Sequence, residues 1–452
     1  MKRKKRGRIF LLVILALAAV GAGYFFTASW LDSRPKLEYA YNAGNAAFPA
    51  YPAASFAVVS DLHIYDHSLG VSGAAFEETL YSDRKLLLES EELLDLAIGE
   101  IIKAGVDFVL VSGDMTKDGE LINHLIVAEK LGRLKEAGIN AYVIPGNHDV
   151  NNPDAVSYSG GATSRVETVS EADFADIYAN FGYGGAVMRD PDSLSYVAEL
   201  TDGLWLLAID SCRHRENTDE TGCITGGNVS QETMDWIVEA LLYAQKNEVA
   251  VVAMMHHGAV EHWDGQRKLH PKYLIEDYAR FGEVLASYGV RIIFTGHYHA
   301  QDITRGEYEN GGYLYDVETG SLVTAPCPIR FCKIEGNAFK VETKTIVDSL
   351  RPGTDFADGA NAFVKQTVAL EALKTLESYM VKGLDADIIS NAVGDAFVAH
   401  YYGDEDPNMR PELDKSRLSV WGRFILFMQQ YVLDGLWVDL EPADNNASFS
   451  LN

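Results

Sequence analysis

Five apolar runs in this 452-residue chain end in the same way, and that recurrence limits the folds open to it. Ser55–Ser60 leads into Asp61-Leu62-His63, and Val106–Val111 into Ser112-Gly113-Asp114. Ala141–Val143 leads through Pro145-Gly146 into Asn147-His148-Asp149. Val249–Met255 ends at His256-His257-Gly258, and Val290–Phe294 at Thr295-Gly296-His297-Tyr298-His299. Short continuous apolar runs are the pattern of strands buried on both faces. Between the first three runs lie two stretches of helical periodicity, Leu86–Ala104 stopped by Gly105 and residues 119–137 stopped by Gly138. Strand and helix alternate, which implies a mainly parallel α/β sheet. Such sheets bind ligands outside the carboxyl ends of their strands. The five polar clusters are therefore expected on one rim.

The rest of the chain is read the same way. Leu204–Ile209 is an expected strand ending at Asp210; residues 231–245 and 279–288 are expected helices. Residues 312–317 and 329–345 read as antiparallel strands near the far side of the sheet. The polar stretches 65–84, 151–170 and 213–229 read as loops. After Val347 the character changes, and residues 360–381, 386–402 and 418–433 read as a separate all-helical domain with a polar, disordered tail from Pro442. The expected organisation is a basic flank and signal-anchor helix (1–31), a linker (32–54), a catalytic α/β domain (55–347), and a C-terminal helical domain with tail (348–452).

The N-terminus carries a topological signal. Lys2, Arg3, Lys4, Lys5, Arg6 and Arg8 precede 23 uncharged residues, Ile9–Leu31. A span of about 20 apolar residues crosses a bilayer, and a basic flank stays cytoplasmic. The expected location is membrane-anchored with the catalytic body outside, or secreted if the segment is cleaved as a signal peptide. Net charge is -27, and the six cations of the N-terminus leave -33 on the rest. So acidic a body excludes duplex nucleic acid as a partner. It does not exclude a phosphate ester, because bound cations invert the local field. The four cysteines, Cys212, Cys223, Cys327 and Cys332, form no CxxC pair, which argues against a zinc knuckle. Disulfides or free thiols both fit an exported chain.

Each polar cluster alone has an ordinary explanation, such as a helix cap or a surface turn. Five at successive strand ends do not. Together they offer at least three imidazoles, two carboxylates and one amide oxygen. A structural zinc takes four ligands, often thiolates. This set fits two borderline ions, with one carboxylate able to bridge them.

Asp61-x-His63, Gly113-Asp114, Gly146-Asn147-His148-Asp149, His256 and Gly296-His297-x-His299 resemble, in order, the five signature blocks of the calcineurin-like metallophosphoesterases. The layout is also similar to bacterial class III cyclic-nucleotide phosphodiesterases with a C-terminal helical domain. The resemblance implies an αββα four-layer sandwich and a dinuclear centre of Mn, Fe or Zn. It implies that Asp61, His63 and His299 hold one ion, that Asn147, His256 and His297 hold the other, and that Asp114 bridges them. His148 would assist the leaving group, and a hydroxide between the ions would attack phosphorus. Where the family usually has His-His-Pro this chain has Gly258, which leaves a choice between His256 and His257. Side chains alternate along a strand, so only one faces the metals, and His256 is chosen.

The expected activity is metal-dependent hydrolysis of a small phosphoester. Diesters are preferred to monoesters, because no Arg or Lys cluster stands among the ligand blocks to clamp a dianion; Arg213 and Arg215 read as solvated. The alternatives are a phosphomonoesterase and a non-catalytic metal- or phosphate-binding surface protein. His124 reads as a helix-surface residue, and His262 and His270 as loop residues within reach of substrate. Asp210 reads as lacking a ligand partner, and Thr319-Gly320-Ser321 as support for the His297 loop.

Overall fold

The computed structural model describes residues 48–451. The uncharged run 9–31 lies outside the described residues, and no helix among those described is long and apolar enough to cross a membrane. In chain order the strands are β1 (Ala54–Val59), β2 (Phe108–Val111), β3 (Asn140–Val143), β4 (Val156–Ser159), β5 (Ala162–Arg165), β6 (Met188–Arg189), β7 (Tyr196–Thr201) and β8 (Leu204–Ile209). They continue with β9 (Ala250–Met255), β10 (Ile292–Thr295), β11 (Asp302–Glu307), β12 (Tyr313–Glu318), β13 (Pro328–Glu335), β14 (Ala338–Thr345) and β15 (Asn446–Ser450). The longer helices are α1 (Ala74–Ser82), α2 (Ser90–Ala104), α3 (Leu121–Glu136), α4 (Gln231–Lys246), α5 (Tyr278–Ser287), α6 (Phe356–Ser378), α7 (Leu384–Tyr402) and α8 (Val420–Gly435).

Two sheets form, not one. The first has the order β15-β14-β13-β1-β2-β3, with β1, β2 and β3 parallel and the added strands antiparallel. The second has the order β11-β12-β10-β9-β8-β7-β6, parallel from β8 through β12. The one-sheet reading of the apolar periodicity is thus corrected, while the two-sheet αββα sandwich that the family resemblance implies is the arrangement that forms. β1, β2 and β3 of the first sheet and β8, β9 and β10 of the second are almost wholly buried, so they look alike in sequence and nothing in the apolar pattern marks the switch. Phe56 on β1 meets Phe294 on β10 edge to face at 5.4 Å, and the Tyr196 hydroxyl of β7 donates to the Val143 carbonyl of β3 at 2.8 Å. These contacts lay the sheets face to face.

Helices cover the outer faces. In α2, Leu93, Leu94, Ala97, Ile98 and Ile101 are buried on one stripe, and Gly105 closes the helix in the left-handed region at φ 66°. α2 packs beside α3, while α4 and α5 lie against β9 and β12. The layers are helix, sheet, sheet, helix.

Further readings change as well. Residues 65–84 are not all loop: α1 forms there because Phe76 buries against Tyr65 and Tyr158, at ring distances of 5.6 and 5.3 Å. Residues 151–170 contain the β4–β5 hairpin, and β12 runs parallel to β10. The tail is not disordered. Residues 446–450 pair antiparallel with β14, and Phe449 stacks on Tyr315 at 3.9 Å. Alternation of Ala447 and Phe449 with Asn446, Ser448 and Ser450 is a strand pattern hidden in a polar stretch. The helices after 347 also share the main apolar core, through Val364, Phe397, Tyr401 and Leu426.

If β15 fixes the edge of the first sheet through Phe449, Phe449→Ala lowers stability by about 2 kcal/mol, below the cost of a fully buried Phe because this ring is only part-buried. Urea unfolding measures it; an unchanged midpoint would show that the tail pairing contributes nothing.

Candidate metal centre

β1, β2 and β3 of one sheet and β9 and β10 of the other end at a common rim. The loops there are joined by backbone bonds: Asp61 N donates to the Gly113 carbonyl, His63 N to the Asp114 carbonyl and Gly296 N to the His256 carbonyl, each at 3.0 Å. Asp61, His63, Asp114, His297 and His299 all have positive φ, between 39° and 73°. Residues other than Gly seldom adopt that conformation, which is costly and is held only where the surroundings over-determine it. It turns these side chains inward directly after the strand ends.

The carboxylates are oriented one oxygen at a time. Asp61 Oδ2 accepts from Ser60 Oγ (2.5 Å) and from His297 N (3.0 Å), which leaves Oδ1 without a hydrogen-bond partner. Asp114 Oδ1 accepts from His148 N at 2.9 Å. Its Oδ2 lies 3.6 Å from His63 Nε2 and 3.3 Å from His256 Nε2. His299 Nε2 is 3.3 Å from Asp61 Oδ1 and 3.4 Å from His63 Nε2. Asp61, His63 and His299 form one group able to hold an ion, and Asp114, His256 and His297 another. Asn147 Oδ1 is also buried without a partner. Gly146 lets the Asn147 turn pass close, since a Cβ there would sit 2.1 Å from Asp114 Oδ1.

The imidazoles are prepared for ligation. His256 Nδ1 lies 2.8 Å from the Ser112 carbonyl, and His63 Nδ1 lies 3.3 Å from that of Thr116. Such bonds hold the Nδ1–H tautomer and free Nε2. Burial holds His63 and His297 well below the usual imidazole range, and so in the neutral form. Burial also pushes the Asp114 carboxyl up, but His256 and His148 outweigh it and keep it well below the carboxylate range. His257 points elsewhere. Its Nδ1 meets Ser211 Oγ at 2.8 Å and its Nε2 the Thr225 carbonyl at 3.0 Å, so both nitrogens are engaged. Burial and the charge of His256 push it down to about 3.

His148 stands at the mouth with a quarter of its side chain exposed, and its Nδ1 is 2.9 Å from Asp118 Oδ1. Burial and Lys85 oppose its protonation, but Asp114 and Asp118 win, so its pKa is raised. Asp149 does not face the ions. It ties the loops together by accepting from Met115 N, Thr116 N, Thr116 Oγ1 and Gly146 N.

Sequence reasoning missed Asp118, Lys85, Arg84 and Tyr273. Lys85 is buried and paired with Asp83 at 2.8 Å; its charge is the strongest of those acting on His63 and His148. Arg84 lies over the Tyr401 ring at 6.0 Å, and Tyr273 lies against His297 at 4.6 Å. Lys85 thus brings a charge to the rim although no Arg or Lys stands among the ligand blocks, while Arg84 pairs with Glu371 at 3.1 Å. Both come from a segment outside the ligand blocks, and nothing local to it signals the approach. Arg213 and Arg215 pair instead with Glu216 and Glu171.

His124 is buried, not on the surface; its Nε2 lies 2.8 Å from the Asp149 carbonyl and supports the turn. His262 is buried among Asp302, Asp316 and Glu318, away from the rim. His270 packs on Trp263, Tyr298 and Phe397. Asp210 pairs with His214 at 2.9 Å. Thr319 N donates to the Thr295 carbonyl at the start of the His297 loop, and Ser321 Oγ to the Asp61 carbonyl, so that segment supports both blocks. All four cysteines are free thiols, and Cys223 Sγ donates to the Asn147 carbonyl at 3.1 Å.

No curated protein sequence matches the chain significantly. Among solved structures it is similar to a dimetal phosphatase from Danio rerio, at 15% identity and TM-score 0.47, covering 65% of this chain and 97% of that one. It is also similar to a purple acid phosphatase from yellow lupin, Lupinus luteus, at 12% identity and TM-score 0.36, with 67% and 52% covered. A third is the sulfate thiohydrolase SoxB of Thermus thermophilus, at 13% identity and TM-score 0.35, with 72% and 62% covered. The family model for calcineurin-like phosphoesterases matches residues 54–301, more than half of the chain and the whole span of the five strand-end clusters. The chain belongs to the calcineurin-like phosphoesterase family, whose members use a dinuclear metal centre.

Proposed function

We propose that this chain hydrolyses phosphoesters at a two-metal centre. Asp61, His63 and His299 would hold one ion, Asn147, His256 and His297 the other, and Asp114 would serve both. One observation carries the reading. Asp61 Oδ1, Asn147 Oδ1, His256 Nε2 and His297 Nε2 are all buried without hydrogen-bond partners. Each such atom costs about 1–3 kcal/mol when nothing pairs with it, and a shared cation relieves several at once. Mn, Fe and Zn all suit imidazole and carboxylate donors. Two such ions supply charge neutralisation at the phosphoryl group and a water of lowered pKa. The chain's own groups do the rest. His148, held by Asp118, keeps a proton at the mouth for the departing oxygen, and Tyr273 walls the side of His297.

The test compares Asp114→Ala with His63→Ala. Removing the bridge empties both sites and lowers turnover by about 10³-fold or more, the scale of losing a group that stabilises transition-state charge. His63→Ala keeps part of the metal. Two bound metals and a near-normal rate in purified Asp114→Ala would falsify the assignment.

We read the substrate as a monoanionic diester on the acidity of the body, cyclic nucleotides included. Lys85 and Arg84 favour a second reading, a monoester whose extra charge they would meet. The two readings separate on kcat/KM for bis(p-nitrophenyl) phosphate against p-nitrophenyl phosphate at equal metal loading. On the diester reading Lys85→Met leaves the ratio nearly unchanged. A selective loss of about tenfold or more on the monoester, the worth of a charged hydrogen bond, would make the protein a phosphatase.

The location follows the charge asymmetry around residues 9–31: the N-terminus inside, the catalytic body outside the cytoplasmic membrane. Protease added to intact cells is expected to cut the body; complete protection without lysis would reverse the topology.

A further inference from the structure

Helix α8 is apolar on two faces. Gly422, Ile425, Leu426, Val432 and Leu433 pack inward. On the other side Val420, Trp421, Phe424, Phe427, Met428 and Tyr431 are exposed, Val420 at 80% and Phe427 at 73%. Positions 420, 424, 427, 428 and 431 recur at helical spacing, so they form one stripe. A helix apolar all round is ordinarily buried, but this one is covered on one side only. Trp421 stacks on Phe424 at 5.4 Å and donates from Nε1 to the Tyr379 carbonyl at 3.0 Å. That bond joins the stripe to the turn after α6, where Tyr379 and Met380 are exposed as well. Contiguous exposed apolar patches mark interaction sites.

The charge around the stripe differs in sign from that of the chain. The whole chain carries -27, yet residues 415–433 hold Lys415, Arg417 and Arg423 and no acidic residue. These three are exposed, as is Lys382 beside the Met380 turn. Among the described residues none of the four forms an ion pair; Arg423 and Arg417 act on Asp385 and Asp414 without pairing. The carboxylates at the two ends of α8 are already engaged. Asp385 accepts from Ser419 N at 2.9 Å and from Ser419 Oγ, and Asp434 pairs with Arg410 at 2.6 Å. At the far end of the stripe Lys268 Nζ stands over the Tyr431 ring at 5.4 Å.

Aromatic and Met side chains bordered by cations are the makeup of a helix that lies in a membrane interface. A two-fold dimer through the same stripe is self-complementary and would set each cation against its own kind. We propose that α8 docks in the plane of an anionic lipid surface. Trp421, Phe424, Phe427 and Met428 would enter the headgroup boundary, and Lys382, Lys415, Arg417 and Arg423 would meet lipid phosphates. The tether rests on the location proposed above. Residues 32–47 join the uncharged run to Phe48, and a chain of that length reaches at most about 55 Å. A face held so near a bilayer meets it at high effective concentration. Docked, the body keeps one orientation on the bilayer instead of swinging on its tether.

The experiment places the full chain in vesicles of phosphatidylcholine with phosphatidylglycerol, and in phosphatidylcholine alone. Brominated acyl chains quench tryptophan emission, and the difference between wild type and Trp421→Phe isolates Trp421. Quenching of Trp421 is expected with phosphatidylglycerol and is weaker without it. Phe427→Glu should shift the balance toward the undocked form by about tenfold or more, the worth of burying one large apolar side chain. Arg423→Gln should shift it by about fivefold, the worth of one cation at an anionic surface. Either variant alone suffices if the other fails to fold. Turnover on a soluble ester should stay near wild type in both, since the face holds no residue of the metal centre.

Flotation with the vesicles reads the tether separately. Protein that floats with Trp421 unquenched overturns the docking and leaves the anchor standing. Flotation that needs phosphatidylglycerol and is lost in Phe427→Glu supports the docking and overturns the anchor. Protein that neither floats nor is quenched overturns both. Equal quenching in the two lipids overturns the anionic assignment. Trp421 unquenched by lipid yet shielded from aqueous acrylamide also overturns the proposal, and a cross-link between copies through α8 then makes a second chain the occupant.

Discussion

The two oxygens of Asp114 divide the rim between them. One accepts the His148 backbone N–H and fixes the turn after β3; the other lies between the imidazoles of His63 and His256. Because His63 follows β1 and His256 follows β9, that single oxygen spans the seam between the two sheets. Its position depends on the sheets meeting face to face, which the Phe56–Phe294 contact enforces. Core packing and site geometry are therefore one constraint: a shift of one sheet by a fraction of an ångström moves half of the donor set relative to the other half.

The site also concentrates energetic cost. Five of its side chains sit on backbone in the left-handed region, and imidazoles, His63 and His297 held neutral by burial and His256 raised by Asp114, are crowded around carboxylates in a buried pocket. Such an arrangement is held by its surroundings. The Asp149 carboxylate fastens the loops after β2 and β3 together, and His124 braces the Asp149 backbone carbonyl from α3. Metal binding and folding are coupled in sites of this kind, because the donors converge only in the folded chain.

What was legible in the sequence follows from distance along the chain. Each strand end carries its polar residues within a few positions, so the eight candidate residues could be named, and the structure brings them together. Alternation along the strand required one of His256 and His257 to turn away, and His257 is the one that does. What was illegible is set by tertiary placement. Nothing near Arg84 and Lys85 tells that they reach the rim, since the α1 segment is positioned by Phe76 in a small aromatic cluster of its own. The apolar pattern hid the split into two sheets, which only the motif resemblance implied, because helix-covered strands read alike whichever sheet they join. The tail read as disorder because a five-residue edge strand with two apolar side chains scarcely differs from a polar linker.

The pairing of β15 with β14 has a consequence for synthesis. Residues 346–445 separate the two strands, and at about 5–20 residues per second a ribosome needs roughly 5–20 s to make them. Throughout that interval β14 is an open sheet edge, the element most prone to pair with another chain. Its exposed positions are Lys340 and Glu342, with Lys344 part-exposed beyond them, while Phe339 and Val341 face inward. Charges on an edge discourage a foreign strand, yet they do not hinder β15, whose Asn446, Ser448 and Ser450 line up beside them. The nascent chain thus carries its own guard at an edge it must leave unfinished.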